Sequence, residues 1–232
     1  MNIKLYGVGV GPGDPELLTL KAVRIINESQ VIVVPGEMVE ESIAYKIAIS
    51  NIENPNEKEF IAVSMPMTKD KNLLEEKHKK AALEIIEFLK QGKNVAFLTL
   101  GDPTVYSTYI YVHKIVNDMG YETEIISGIT SFCAVSAVLN QGLVEKNEVL
   151  HVIPSSYNIE DSIKLPGTKV LMKAGKKLPQ VKEKIRALNS SIMMVENCGM
   201  ETQKIYRNID EINEEAGYYS LIIVKEQEGS GE

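Results

Sequence analysis

The sequence predicts an α/β fold built as two α/β domains. Three observations carry this. Short apolar runs, too short for helices, alternate with longer segments of helical apolar spacing. Several of these runs end in glycine-containing turns that lead into a helix start. From Val149 onward the strand-like runs come closer together, with shorter helical stretches between them.

Ile3 to Val10 reads as the first strand. It enters Gly7-Val8-Gly9-Val10-Gly11-Pro12-Gly13-Asp14-Pro15. Counted from Gly7, the last glycine of a G-x-G-x-x-G dinucleotide fingerprint is replaced by Pro12; counted from Gly9, by Asp14. Pro12 also removes a backbone donor from any phosphate cradle. Asp14 and Pro15 have the chemistry of a cap and a first helical residue, with Leu17, Leu18, Val23, Ile25 and Ile26 on the buried face. Val31 to Val34 is the second strand, ending at Pro35-Gly36, and helical spacing runs from about Val39 to Ile49. Phe60 to Val63 is the third strand and leads into Ser64-Met65-Pro66-Met67. Methionines there read either as core fillers or as ligand contacts. The charge run Lys69 to Lys80 opens a helix with Leu83, Ile86 and Leu89 inward, so the charges form a solvated face.

Val95 to Leu98 is a strand suited to burial on both faces. It ends in Leu100-Gly101-Asp102-Pro103, with Gly101 for the turn, Asp102 as cap and Pro103 as the first residue of a helix reaching Gly120. Two readings stand for this turn: a capped strand-to-helix junction, or a binding loop at the carboxyl end of a strand. A domain boundary is expected near Gly120, giving residues 1–120 and 121–232. Glu124 to Ile126 then runs into Ser127-Gly128-Ile129-Thr130-Ser131-Phe132, a third junction with Thr130 or Ser131 as cap. Strands follow at His151 to Pro154, Lys169 to Lys173, Ile192 to Glu196 and Tyr218 to Lys225. Helices are expected at Pro179 to Leu188 and Thr202 to Ile212, and the polar tail Glu226 to Glu232 reads as frayed.

The totals exclude several classes. The 232 residues are 44% hydrophobic and 25% charged, with a net charge of −7, which argues against a general nucleic-acid binder. Cys133 and Cys198 form no CxxC pair, and His78, His113 and His151 are scattered, so no metal site is expected. Two free thiols suit a cytoplasmic location. No signal segment opens the sequence, and no apolar run reaches the about 18 residues of a membrane span.

The glycine loop from Gly7, the Leu100–Pro103 turn, Ser127–Phe132, Leu171-Met172-Lys173-Ala174-Gly175 and Val195-Glu196-Asn197 occur in this order along nearly the whole chain. Together they resemble the tetrapyrrole methylases, which transfer methyl groups from S-adenosylmethionine to intermediates of cobalamin and sirohaem synthesis. Gly101 to Thr108, Leu20-Lys21-Ala22 and His151-Val152-Ile153-Pro154 are most similar to the members that methylate carbon 20 of precorrin-2 or its cobalt form. The resemblance implies two α/β domains with the cofactor in the cleft between them, a homodimer, and a small-molecule tetrapyrrole substrate. By motif, it implies cofactor contacts at Pro12, Leu100, Gly101, Asp102, Val105, Thr130, Ser131 and Met172. A last contact falls at Cys198, where the family carries glycine. Methyl transfer to an electron-rich ring carbon requires no protein nucleophile, only in-line positioning and an acceptor for the departing proton. Tyr106 and Asp102 are the catalytic candidates; each also has a structural reading, as packed aromatic and as cap. Lys173, Lys176 and Lys21 are candidates for meeting substrate carboxylates. Two other classes stay open on the residues alone: a nucleotide- or NAD-dependent oxidoreductase, from the first glycine loop, and a non-catalytic ligand-binding module. Within the family, a diphthamide or ribosomal-RNA methylase is a further alternative.

Overall fold

A computed structural model describes residues 3–156, 158–188 and 190–226. The chain divides into two compact units between Thr130 and Ser131.

The first unit is an all-parallel sheet of β1 (Lys4–Gly9), β2 (Val31–Pro35), β3 (Glu59–Val63), β4 (Val95–Thr99) and β5 (Glu122–Ile126), in the order β3-β2-β4-β1-β5. Its helices are α1 (Leu20–Glu28), α2 (Ile43–Ala48), α3 (Lys71–Lys90) and α4 (Tyr109–Asp118). Strand residues alternate between two buried faces, as a sheet covered on both sides requires. Val8, Ile32, Val34, Ala96 and Leu98 pack with residues of α1 and α2. Leu5, Val31, Val33, Val95 and Phe97 pack with residues of α3 and α4.

The unit reaches ten residues beyond the expected boundary at Gly120. Residues 122–126 do not open a new sheet; they pair in parallel with β1, Lys4 opposite Glu122 and Val8 opposite Ile126. Two expected helix starts also shift. Asp14 does cap, accepting from the Glu16 amide at 2.9 Å, but only a 3-10 turn, Pro15–Leu17, follows. α1 begins later, at Leu20, where the Thr19 hydroxyl accepts from the Ala22 amide at 3.1 Å. Pro103 does not open α4. Tyr106 adopts φ +50°, which stops helical propagation, and α4 begins at Tyr109. The expected helix over 39–49 narrows to α2 and a following 3-10 turn, Ile49–Asn51.

The second unit holds α5 (Ser131–Val138), α6 (Leu178–Arg186) and strands β6 (Leu150–Pro154), β7 (Thr168–Met172), β8 (Ser190–Glu196), β9 (Lys204–Tyr206) and β10 (Ser220–Glu226). The sheet order is β6-β7-β10-β8-β9; β6 and β7 are parallel, while β10 runs antiparallel to β7 and β8. Ile153, Leu171, Met194, Ile222 and Val224 form a core with Leu178, Val181 and Ile185 of α6. The expected helix from Thr202 to Ile212 is absent. Residues 204–206 are instead an edge strand, Met194 opposite Tyr206. Beyond it the Asn208 side chain accepts from the amides of Asp210 (3.0 Å) and Glu211 (3.1 Å), a local bond that competes with a helix. The tail residues 227–232 lie outside the described residues.

Gly7 shows how tightly the first sheet is packed. A Cβ built there would fall 1.9 Å from Cε1 of Tyr109, whose fully buried ring lies beneath the strand. Gly7→Ala is therefore expected to lower unfolding free energy by about 1–3 kcal/mol through overpacking. Urea denaturation checks this, and combination with Tyr109→Leu should recover part of the loss.

Candidate functional site

In the first unit, the connection from β1 leads through α1 to β2, and the connection from β4 leads through α4 to β5. The two strands are neighbours whose connections leave on opposite faces of the sheet. Such a switch point opens a crevice beyond the carboxyl ends of the strands, where ligands of parallel sheets bind. All three glycine-bearing junctions lie at this edge.

They meet main chain to main chain. The Val10 amide donates to the Thr99 carbonyl at 3.0 Å, and Gly11 and Gly101 exchange two hydrogen bonds at 3.3 and 2.8 Å. A Cβ on Gly9 would lie 2.6 Å from the Gly101 oxygen and from the Gly128 nitrogen. On Gly128 it would lie 2.2 Å from that same oxygen. No side chain fits between these loops, which explains the glycines without a dinucleotide fingerprint.

Asp102 fastens the junction. Its Oδ1 accepts from the Thr104 amide at 2.7 Å and from the Thr104 hydroxyl at 2.5 Å; its Oδ2 accepts from the Gly128 amide at 3.0 Å. The side chain is buried. A carboxylate is acceptor-only, so it suits a place where three donors converge. Asp102 thus caps a turn, as the sequence suggests, and also ties the β4 loop to the β5 loop, which the sequence does not show. Pro12 follows bridged Gly11, and Leu100 precedes bridged Gly101, so both are held by the same contacts. The Val105 amide donates to the Asp102 carbonyl at 3.2 Å. Next in the chain, left-handed Tyr106 is exposed, and the Ser107 hydroxyl behind it bonds Thr99 Oγ1 at 2.9 Å. Thr130 Oγ1 is buried with no hydrogen-bond partner among the described residues. A buried hydroxyl left so is a position that a bound ligand can satisfy.

The second unit has its own distinctive edge. Residues just after β7 and β8 are left-handed without being glycine: Lys173 at φ +58° and Asn197 at φ +52°. Such backbone is costly for ordinary side chains and clusters at functional sites. β10 lies between these strands and begins beside them, with Leu221 opposite Met172 and Ser220 opposite Glu196. The Asn197 amide donates to the Tyr219 carbonyl at 2.9 Å. Burial pushes the Lys173 ammonium below the usual lysine range. Tyr218 and Tyr219 form an edge-to-face pair with centroids 5.4 Å apart, and burial raises both phenols. Glu196 is not available to a ligand: it accepts from the Gly217 amide at 2.8 Å and the Tyr206 hydroxyl at 3.2 Å. Buried Cys198 and half-buried Met172 follow and end their strands at this edge, and Ser131 opens α5.

The first-unit candidates Pro12, Leu100, Gly101, Asp102, Val105, Tyr106 and Thr130 are thus brought to one sheet edge, and Met172, Lys173 and Cys198 to another. Lys21 is drawn elsewhere, pairing with Glu124 at 2.8 Å. The Lys176 side chain lies outside the described residues. Sequence reasoning missed the Tyr218–Tyr219 pair; the only signal was two adjacent aromatic residues at a strand start. Among the described residues no group of three or more His, Cys, Asp or Glu could hold a metal ion, and no helix is long and apolar enough to cross a membrane.

Comparison with known proteins agrees with this geometry. The sequence model of the Tetrapyrrole (Corrin/Porphyrin) Methylases matches residues 4–213. A probable cobalt-precorrin-2 C(20)-methyltransferase of Methanocaldococcus jannaschii is 39% identical over 230 residues, covering 96% of both chains. A precorrin-2 C(20)-methyltransferase of Sinorhizobium sp is 28% identical, covering 95% of this chain and 94% of that one. Among solved structures, the uroporphyrin-III C-methyltransferase of Thermus thermophilus complexed with S-adenosylhomocysteine superposes with a TM-score of 0.71. It shares 18% identity, over 96% of this chain and 97% of the other. A family match over residues 4–213 and a relative this similar from end to end settle the relationship: the chain belongs to the tetrapyrrole methylases.

Proposed function

We propose that this protein is an S-adenosylmethionine-dependent methyltransferase that methylates carbon 20 of a precorrin-2-type macrocycle in cobalamin biosynthesis. The cobalt-containing form, cobalt-factor II, is the first substrate to try. The observation that carries the reading is the Asp102-fastened junction at the switch point, in a chain 39% identical to a probable cobalt-precorrin-2 C(20)-methyltransferase. The protein acts as a homodimer in the cytoplasm in this reading.

The residues present fit the cofactor. The first unit offers the main chain of Leu100 and Gly101, the rings and side chains of Pro12 and Val105, and the unpartnered Thr130 hydroxyl. By the family motifs, Ser131, Met172 and Cys198 are further candidate contacts, Cys198 through its backbone. S-adenosylmethionine, when bound, supplies an electrophilic methyl group on a sulfonium. The nucleophile is a ring carbon of the substrate, so the protein's task is to hold the two partners in line. Asp102 serves by holding the loops: its oxygens already have three donors, two from Thr104 and one from Gly128. Tyr106, exposed on the left-handed turn, is the candidate catalytic side chain, with water or another base accepting the proton that leaves the ring carbon. Lys173 is a candidate to meet a substrate carboxylate.

Incubation with S-adenosylmethionine and cobalt-factor II, followed by mass spectrometry, should show addition of one methyl group; no addition to either the cobalt or the metal-free substrate overturns the reading. S-adenosylhomocysteine should raise the melting temperature, because a ligand at 100 times its Kd stabilises the folded state by about 2.7 kcal/mol. NAD should give no shift. Asp102→Asn turns a donor toward one of the three donors that now converge there. It should cost about 1–3 kcal/mol of stability and lower turnover more than cofactor affinity, as read by thermal melts, calorimetry and initial rates. Equal turnover in wild type and Asp102→Asn would show the latch to be irrelevant to the reaction.

A further inference from the structure

The junction residues occupy the β1, β4 and β5 side of the first sheet's carboxyl edge. The other side, beyond β2 and β3, has a different character. The β2 strand ends at Pro35 and leads into Gly36-Glu37-Met38; the β3 strand ends at Val63 and leads into Ser64-Met65-Pro66-Met67. Met65 packs against the buried cluster formed with α3 and α4. Met67 and Met38 do not: they are 82% and 53% exposed. The two loops form one platform. The Gly36 amide donates to the Val63 carbonyl at 3.0 Å, and the Ser64 hydroxyl donates to Glu37 Oε1 at 2.5 Å. That bond engages Glu37, which precedes Met38; Glu40 and Glu41 follow in the same loop, and residues 64–67 carry no charge.

We propose that Met38 and Met67 are the floor on which one face of the tetrapyrrole macrocycle lies, and that they position it and help select it. This rests on the function proposed above. Three features of the fold support it. The sheet order β3-β2-β4 places both loops beside the β4 turn that carries Tyr106, along the edge where ligands of parallel sheets bind. Three strands at their usual separation span about 10 Å, a width comparable to that of the macrocycle. Thioethers are flexible and polarisable, and they form favourable contacts with π systems, so they conform to a flat conjugated ring better than branched side chains do. The division of labour is physical. Main-chain groups on the β1–β4–β5 side fix a small polar ligand, while two adaptable apolar side chains on the β2–β3 side receive a broad apolar face.

The test is an absorbance titration of cobalt-factor II, under inert gas, into protein saturated with S-adenosylhomocysteine. The variants are Met38→Gln with Met67→Gln, and Met38→Leu with Met67→Leu. The double glutamine variant should bind the macrocycle about tenfold more weakly or worse, with S-adenosylhomocysteine affinity and melting temperature as in wild type. The double leucine variant should stay within about threefold, because apolar contact is kept. Sedimentation velocity runs in parallel. Wild-type macrocycle affinity in the double glutamine variant overturns the proposal, and so does a change in assembly state without a change in that affinity, which would assign the methionines to contact with a second copy of the chain. A wild-type protein that binds S-adenosylhomocysteine but no macrocycle would overturn the choice of substrate itself, a failure distinguishable from loss confined to the methionine variants.

Discussion

The structure of the first unit depends on the close approach of three main-chain segments, at Gly9, Gly101 and Gly128. Each lies at or just beyond the carboxyl end of a parallel strand. Strands β4, β1 and β5 lie side by side, at ordinary sheet spacing. For the loops to continue that contact beyond the strands, side chains must be absent where they cross, and a polar group must collect the remaining donors. The Asp102 carboxylate does so by accepting from Thr104 and Gly128. The Gly11–Gly101 bridge then sets the facing main chain in register. The helix starts at Thr19 and Thr108 and the exposed position of Tyr106 follow from where these loops are released.

Much of this was legible in the residues. Val31–Val34 and Val95–Leu98 are apolar without interruption because both faces of the sheet are covered, and that composition marks a buried parallel strand. Asp102 was legible as a cap because a short acidic side chain before proline has few other uses in a turn. Its bond to the Gly128 amide was not, since the partner stands 26 residues away and donates through a main-chain atom present in every non-proline residue. The same limit explains the shift from Gly120 to Thr130. Local pattern shows that residues 122–126 form a strand, but not that they pair with residues 4–8. At 202–212 the failure is of another kind. Apolar spacing there suited a helix, yet Ile205 and Tyr206 extend a sheet edge, and Asn208 turns the chain with its own side chain. The pair Tyr218–Tyr219 was absorbed into a strand that begins only at Ser220.

The second unit reaches a comparable end by other means. Instead of glycine, Lys173 and Asn197 take left-handed conformations at the ends of β7 and β8. Asn tolerates this conformation because its short amide can bond locally, and here it donates to the Thr202 hydroxyl at 3.0 Å. Lys173 has a longer side chain and takes the same conformation. Its backbone is held by its place between Met172, paired with Leu221, and the 3-10 turn Gly175–Lys177. Strained backbone held by neighbouring structure in this way recurs at functional sites.

A junction made of main chain has a consequence for how such a protein can change. Carbonyls are common to all residues and amide N–H groups to all but proline, so a joint built from them constrains sequence at only a few points: Gly9, Gly11, Gly101 and Gly128, one carboxylate and the hydroxyl of Thr104. Along the rest of the edge, side chains such as Met38 and Met67 take no part in that joint. The scaffold is therefore separable into a fixed part and a variable part. A new ring position or a new macrocycle could be accommodated by rewriting the loops after β2 and β3, leaving the joint undisturbed.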